Sequence, residues 1–205
     1  MSKSTNRFKE NWQKKNTFGK VTDVLIIIFI ITLFIPQSRL AIGGFVNRVK
    51  AMIISPSEIE EENRETLSAK DYNWELINMT GEKVQLADYK DKVLFINLWA
   101  TWCPPCVGEM PEIQNMWETF KDHPDVELFL ITNEDLGTVK EFLDKRDYTF
   151  PVYMSRYAPP EILKSQSIPT SYIISKKGEI VVRKTGAAKW GGEKTEKLIK
   201  ELVNE

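Results

Sequence analysis

The sequence predicts an α/β domain, a mixed central sheet flanked by helices, preceded by an apolar amino-terminal segment. Three observations carry that expectation. From residue 71 onward, apolar runs of strand length alternate with helical stripes. Their order is βαβα and then ββα, which suits a mixed sheet covered by helices. Residues 21–35 are almost unbroken apolar sequence. With 205 residues, the chain has room for one ordinary domain and accessories, not two full enzyme domains. Hydrophobic residues make up 42% and charged ones 28%, so the chain as a whole is not disordered.

The first twenty residues are polar and basic, with Lys3, Arg7, Lys9, Lys14, Lys15 and Lys20 against Glu10. The apolar run that follows ends at Pro36. A spanning helix takes about 20 apolar residues, so this run is short and a cleaved export signal is the competing reading. Pro36-Gln-Ser-Arg39 is a poor cleavage site, Lys20 can snorkel, and apolar character resumes at Leu40. We therefore expect an uncleaved anchor over 21–41. Six basic residues precede the apolar run and only Arg39, Arg48 and Lys50 soon follow it, which puts residues 1–20 in the cytoplasm. Either reading exports the remainder. The expected location is the inner membrane, single-pass, with the folded domain on the periplasmic side.

Residues 42–70 read as an amphipathic segment and linker. Ile42, Phe45, Val46, Val49, Met52 and Ile53 form one helical stripe. That helix lies at the outer membrane surface, packs on the domain, or continues the anchor; the pattern does not separate these. Residues 55–70 are polar and acid-rich, as in a spacer, though part can be helical.

The folded domain is expected at 71–205. Asn73–Ile77 alternates as a strand does, and Thr80-Gly81-Glu82 supplies a turn. Val93–Trp99 is nearly continuously apolar, as in a strand buried on both faces. Cys106–Lys121 sets Val107, Met110, Ile113, Trp117 and Phe120 on one helical face, with Pro111 inside. Val126–Ile131 reads as another buried strand, and Asp135–Lys145 as a helix with Leu136, Val139, Phe142 and Leu143 inward. Phe150–Met154 is a short strand and Pro159–Ser165 a short helix. Thr170–Ile174 and Glu179–Arg183 flank Ser175-Lys-Lys-Gly178 as a hairpin. Gly192–Val203 closes the domain with a helix burying Leu198, Ile199 and Leu202.

Composition narrows the chemistry. Residues 71–205 carry 17 Lys/Arg against 22 Asp/Glu, a net charge of −5 that argues against nucleic acid as a partner. Cys103, Cys106 and His123 make three nitrogen or sulfur ligands where a closed zinc site takes four, so no metal is expected. A Ser-His-Asp hydrolase would have to run through His123 alone. Trp102-Cys103-Pro-Pro-Cys106 follows a strand and opens a helix. A lone C-x-x-C is half a zinc site, a haem attachment, a structural disulfide or a redox pair. Haem attachment needs His after the second Cys, and Val107 stands there. A structural disulfide closing so short a loop adds little stability. Reversible dithiol chemistry is the reading that remains. At a helix start, unpaired N–H groups and the helix dipole favour Cys103 as thiolate, with Cys106 resolving. Trp102, adjoining Cys103, has the better case for touching partners. Trp99 and Trp74 line the site or pack the core, and His123 reads as solvated.

Asn97-Leu-Trp-Ala-Thr-Trp-Cys-Pro-Pro-Cys106, followed by Glu109-Met-Pro111, resembles the thioredoxin superfamily, specifically its exported TlpA/ResA-like thiol–disulfide oxidoreductases. The resemblance covers about Asp71 to the carboxyl end. It implies a thioredoxin fold with an extra strand–helix insertion, a redox-active Cys103–Cys106 disulfide, and a cis peptide at Ile168–Pro169 opposite the pair. There Ile168 and Pro169 would offer a backbone edge to an extended substrate segment. Cytosolic thioredoxins carry a buried Asp where this chain has Asn97, which exchanges no proton. In the TlpA/ResA-like group, a Glu at the place of Glu109 is linked to proton transfer for the buried second thiol; the bland alternative is a solvated helix Glu. Pro111 falls where the superfamily kinks this helix.

The functional expectation is a membrane-anchored reductase of exported disulfides, for example in cytochrome c maturation, needing no cofactor. Its partners would be exported protein thiols or disulfides and a membrane dithiol electron donor. Two alternatives stay open: an oxidase of exported thiols, and a non-catalytic tethered peptide-binding module. Cys106 to Pro169 is 63 residues, room for an added strand and short helix at 150–165 rather than the large helical insertion of DsbA-type oxidases. The C-x-x-x-C of Sco-type copper chaperones is missing, and a peroxiredoxin would not need this pair.

Overall fold

The computed structural model describes residues 17–34 and 55–205. Thr17–Phe34 forms the helix α1, which stands in a separate unit from the folded domain. Its 18 residues rise roughly 27 Å against the ~30 Å of a bilayer's hydrocarbon. Among the described residues, no helix is long and apolar enough to cross a membrane. The end of the expected anchor, 35–41, lies outside the described residues, as do most of the basic segment 1–20 and the stripe from Ile42 to Ile53.

The domain is built on seven strands: β1 (Glu75–Asn78), β2 (Lys83–Gln85), β3 (Val93–Leu98), β4 (Val126–Thr132), β5 (Val152–Met154), β6 (Thr170–Ile174) and β7 (Ile180–Thr185). Their order across the sheet is β2-β1-β5-β4-β3-β6-β7. β3, β4 and β5 run parallel, and the other neighbours pair antiparallel, so the sheet is mixed as expected. The helices are α2 (Ala69–Tyr72), α3 (Pro104–Phe120), α4 (Leu136–Asp144) and α5 (Glu193–Val203).

The continuous apolar runs have the cause read from them. In β3, Val93 and Phe95 enter one cluster while Leu94 and Ile96 enter the other; in β4, Leu128 and Leu130 alternate likewise with Phe129 and Ile131. A central strand covered on both faces has no position for a polar side chain without a partner. The first cluster takes Met110, Ile113 and Phe120 of α3, Val139 and Phe142 of α4, and Leu198 and Ile199 of α5. The opposite face is covered by shorter pieces, among them Leu67, Tyr72, Trp74, Leu86 and Leu163.

Two expectations are corrected, and one strand is added. Leu136 is exposed, because the helix begins at this residue, capped by the Asp135 carboxylate accepting from Thr138 N–H at 3.0 Å. β2 has no counterpart in the sequence reading; three residues are too few to show a period, and they pair with β1 beyond a turn organised by the Asn78 side chain. The acid-rich stretch expected as a spacer does not run free. Ile59 N–H donates to the Val181 carbonyl, Ile180 N–H to that of Glu65, and Leu67 N–H to that of Gly178. These residues occupy the outer edge of β7, whose backbone groups otherwise lack partners. Gly178 permits the approach: its φ is +82°, and a Cβ there would stand 2.9 Å from the Tyr72 hydroxyl.

Leu67, buried in this strap, tests its contribution. Leu67→Ala should lower the unfolding free energy in urea by about 2–3 kcal/mol. A change below about 0.5 kcal/mol, as for a solvated spacer, would contradict the docking.

Candidate active site

The site forms where β3 hands over to α3. β3 ends at Leu98, and Trp99 and Ala100 continue inward, both buried. The turn is pinned from the β4–α4 connection. The Glu134 carboxylate accepts from Thr101 N–H at 2.6 Å and from the Thr101 hydroxyl at 2.7 Å. Pro104 and Pro105 occupy the first helical positions, where a backbone N–H would have no intrahelical acceptor. Cys103 is the N-cap, and its Sγ accepts from Cys106 N–H at 3.3 Å. The helix end thus donates to the sulfur itself, the arrangement that favours negative charge there.

Cys103 and Cys106 are joined as a disulfide, with Cα atoms 5.3 Å apart. Cys103 keeps 3% exposure and Cys106 none, so only Cys103 shows any surface. Trp102 projects beside it at 71% exposure, whereas Trp99 and Trp74 are core residues. From across the site, Ile168 sets its carbonyl oxygen 3.7 Å from Cys103 Sγ, and the Ile168–Pro169 peptide bond is cis. The structure therefore brings Trp102, the edge of Cys103 and Ile168 to one surface, with Pro169 and Cys106 buried.

Glu109 is fully buried, not solvated. Its Oε1 accepts from Asn97 Nδ2 at 2.9 Å, and its Oε2 from Ala188 N–H and Trp190 Nε1–H, each at 3.0 Å. Burial raises its pKa from 4.5 to about 7, against the opposing pull of the Trp190, Ala188 and Asn97 hydrogen bonds. Asn97 donates its second amide hydrogen to Ser171 Oγ at 2.7 Å, while its Oδ1 is buried without a partner. Glu109 follows Cys106 by one helical turn on an adjacent face, so a carboxyl that titrates near neutrality stands on the helix carrying the buried sulfur.

Sequence reasoning missed Glu134, Ser171 and Trp190. Each joins the site through the fold, and nothing local marks it; a loop tryptophan before a helix reads as packing. His123 is half-buried rather than solvated, its Nδ1 accepting from Asp125 N–H at 3.2 Å just beyond the far end of α3. Among the described residues, no group of three His, Cys, Asp or Glu side chains is arranged to hold a metal ion.

The Redoxin family model matches residues 64–201. A thiol-disulfide oxidoreductase ResA from Bacillus thuringiensis is 33% identical over 112 residues, 53% of this chain and 64% of that relative. The match thus spans less than two thirds of that protein. A thiol-disulfide oxidoreductase ResA from Oceanobacillus iheyensis is 29% identical over 181 residues, covering 85% of this chain and 84% of that protein. Among solved structures, a thioredoxin-like protein from Porphyromonas gingivalis superposes with a TM-score of 0.51 at 26% identity, over 65% of this chain and 91% of that one.

Glu109 makes stability depend on pH with a definite sign. Between pH 4.5 and about 7 the folded domain keeps a proton that the unfolded chain has released. The contribution is therefore full at the acid end and lost as pH rises through 7, on the order of 3 kcal/mol in all. Subtracting urea-denaturation profiles of Glu109→Gln from those of the parent should reveal this decline. Parallel profiles would show that the carboxyl ionises in the folded chain as it does in the unfolded one.

Proposed function

The chain belongs to the Redoxin family, and from that premise we propose that it is a thiol–disulfide oxidoreductase of the ResA type that reduces disulfides of exported proteins. One observation carries this reading: a disulfide at a helix start, its outer sulfur beside the Ile168 backbone edge and its inner cysteine one helical turn before Glu109, a buried residue with a pKa of about 7.

In the reduced protein, Cys103 thiolate attacks one sulfur of a partner disulfide. That S–S bond breaks, a partner thiolate leaves, and a mixed disulfide joins Cys103 to the partner. Cys106 then attacks Cys103 Sγ, releasing the second partner thiolate and closing the Cys103–Cys106 disulfide. Two electrons pass from the pair to the partner, whose two sulfurs leave as thiols. Cys106 is wholly buried, so its thiol proton has no direct route to water. Glu109 in its ionised form accepts that proton as the sulfur becomes nucleophilic, and passes it on afterwards. A membrane dithiol donor restores the pair.

The apolar run from Val21 and the basic residues before it support an anchored protein with its domain on the periplasmic side. There its substrates are exported Cys proteins, apocytochrome c among them. Protease added outside the cytoplasm should remove the domain and leave residues 1–20; a protected domain would reverse the orientation.

Direction of electron flow is tested by the reduction potential. A reductase should lie well below the roughly −120 mV of DsbA, and a value near that figure would identify an oxidase instead. Cys106→Ser should trap partners as mixed disulfides on Cys103. Recovery of none from cells would favour the non-catalytic reading.

A further inference from the structure

A groove of about 440 Å³ runs beside the redox pair. Trp102 and Ile168 of the site line it, together with Arg156, Tyr157 and Pro159 of the inserted segment. Within 55–205, only three large apolar side chains are left exposed: Trp102, Leu136 and Tyr157, the last at 65%. Two of the three border this one groove. Exposed aromatic side chains gathered at a concave surface mark contact with a partner more often than chance exposure.

The groove wall is held in place. Trp74 Nε1–H donates to Ser155 Oγ at 2.9 Å, and the Ser155 hydroxyl donates in turn to the Tyr157 carbonyl at 2.7 Å. Ser155 N–H donates to the Thr132 carbonyl at 2.9 Å. Tyr157 is thus exposed on a tied loop, and Pro159 and Pro160 restrict the chain after it. Little ordering entropy remains to oppose a ligand that packs there.

The charge of the groove is equally specific. Arg156 is its one charged lining residue, in a stretch, 71–205, whose net charge is −5. Among the described residues its guanidinium has no ion-pair or hydrogen-bond partner. At the other end, the Ile168 carbonyl lies beside Cys103 Sγ and can accept from the N–H of an extended chain.

We propose that this groove docks an extended segment of the disulfide-bearing partner, with a large apolar side chain between Trp102 and Tyr157 and a carboxylate at Arg156. The proposal rests on the thiol–disulfide exchange reading and adds to it the sequence preference of the substrate.

The test uses short synthetic peptides whose single Cys is joined by a disulfide to glutathione, flanked by Trp or Ser and by Glu or Lys. Rate constants for their reduction by the reduced full chain should favour Trp with Glu over Ser with Lys by about tenfold. Tyr157→Ala should erase the preference for Trp, and Arg156→Glu should turn the preference for Glu into one for Lys. Equal rates across the set, or preferences unchanged in both variants, would overturn the groove. Oxidised glutathione serves as the control: if the parent chain fails to reduce it and every peptide, the exchange reading itself is lost. The same peptides with Ser in place of Cys, titrated calorimetrically into the oxidised protein, test docking without exchange. The Trp–Glu peptide should bind about tenfold more tightly than the Ser–Lys one, and equal binding would sink the proposal. Dimerisation that Tyr157→Ala abolishes, without any peptide preference, would assign the groove to a second copy of this chain.

Discussion

Withdrawing the Glu109 carboxyl from water is the constraint around which the site is arranged. A buried carboxylate without donors costs several kcal/mol and would simply stay protonated. Here β3 supplies Asn97, while the segment after β7 supplies the Ala188 N–H and the Trp190 indole. The hydrogen bonds tie α3 to the sheet on one side and to the approach of α5 on the other. Gly191 makes the second tie possible, because a Cβ there would stand 2.7 Å from the Glu112 carbonyl oxygen on α3. Trp190 reaches inward past that contact and sets its ring edgewise against Phe95, centroids 4.9 Å apart. One polar group thereby specifies how three parts of the chain meet, which a purely apolar interface would leave less defined.

The same opposition decides what the carboxyl can do. Desolvation favours the neutral form and three donors favour the charged one, and neither wins by much near neutrality. A group so balanced gives and takes a proton with little free-energy change, as a group serving a buried thiol must. Asn97 contributes without titrating. Both its amide hydrogens are spent, on Glu109 and Ser171, so it orients the carboxyl, and in the proposed exchange proton movement is left to Glu109. The outer sulfur is tuned differently, by the N–H of Cys106 at the start of α3. In the proposed exchange, two sulfurs three positions apart in one motif therefore depend on unrelated devices, a helix end and a buried acid.

How much of this could be read from residues alone follows from the range of each interaction. Strands β3 and β4 were visible because double-sided burial writes an unbroken apolar run. Helix α3 was visible from its stripe and from Pro104 at its start. Cys103, Cys106 and Glu109 share one short motif, and Ile168–Pro169 followed from the resemblance that motif supports. The donors to Glu109 are 12, 79 and 81 residues away, and pairing over such distances leaves no local pattern. Residues 59–67 misled for the opposite reason. Their composition is that of a solvated spacer, yet they dock through backbone hydrogen bonds, to which composition is blind.

Chemistry and part of the proposed recognition are carried by different parts of this chain. The sulfurs, Glu109, Asn97 and the Ile168 carbonyl belong to β3, α3 and the turn into β6, all packed into the core. Changes at Asn97 or Trp190 leave a buried donor or acceptor unpaired, at about 1–3 kcal/mol each, so that frame is closed to variation. Arg156 and Tyr157 stand on the loop after β5 with their side chains in solvent, where substitutions usually alter stability by less than about 0.5 kcal/mol. The loop itself is fixed from below by Trp74 and Ser155 rather than by those two side chains. The identity of the docked sequence can therefore change while the sulfur chemistry stays the same.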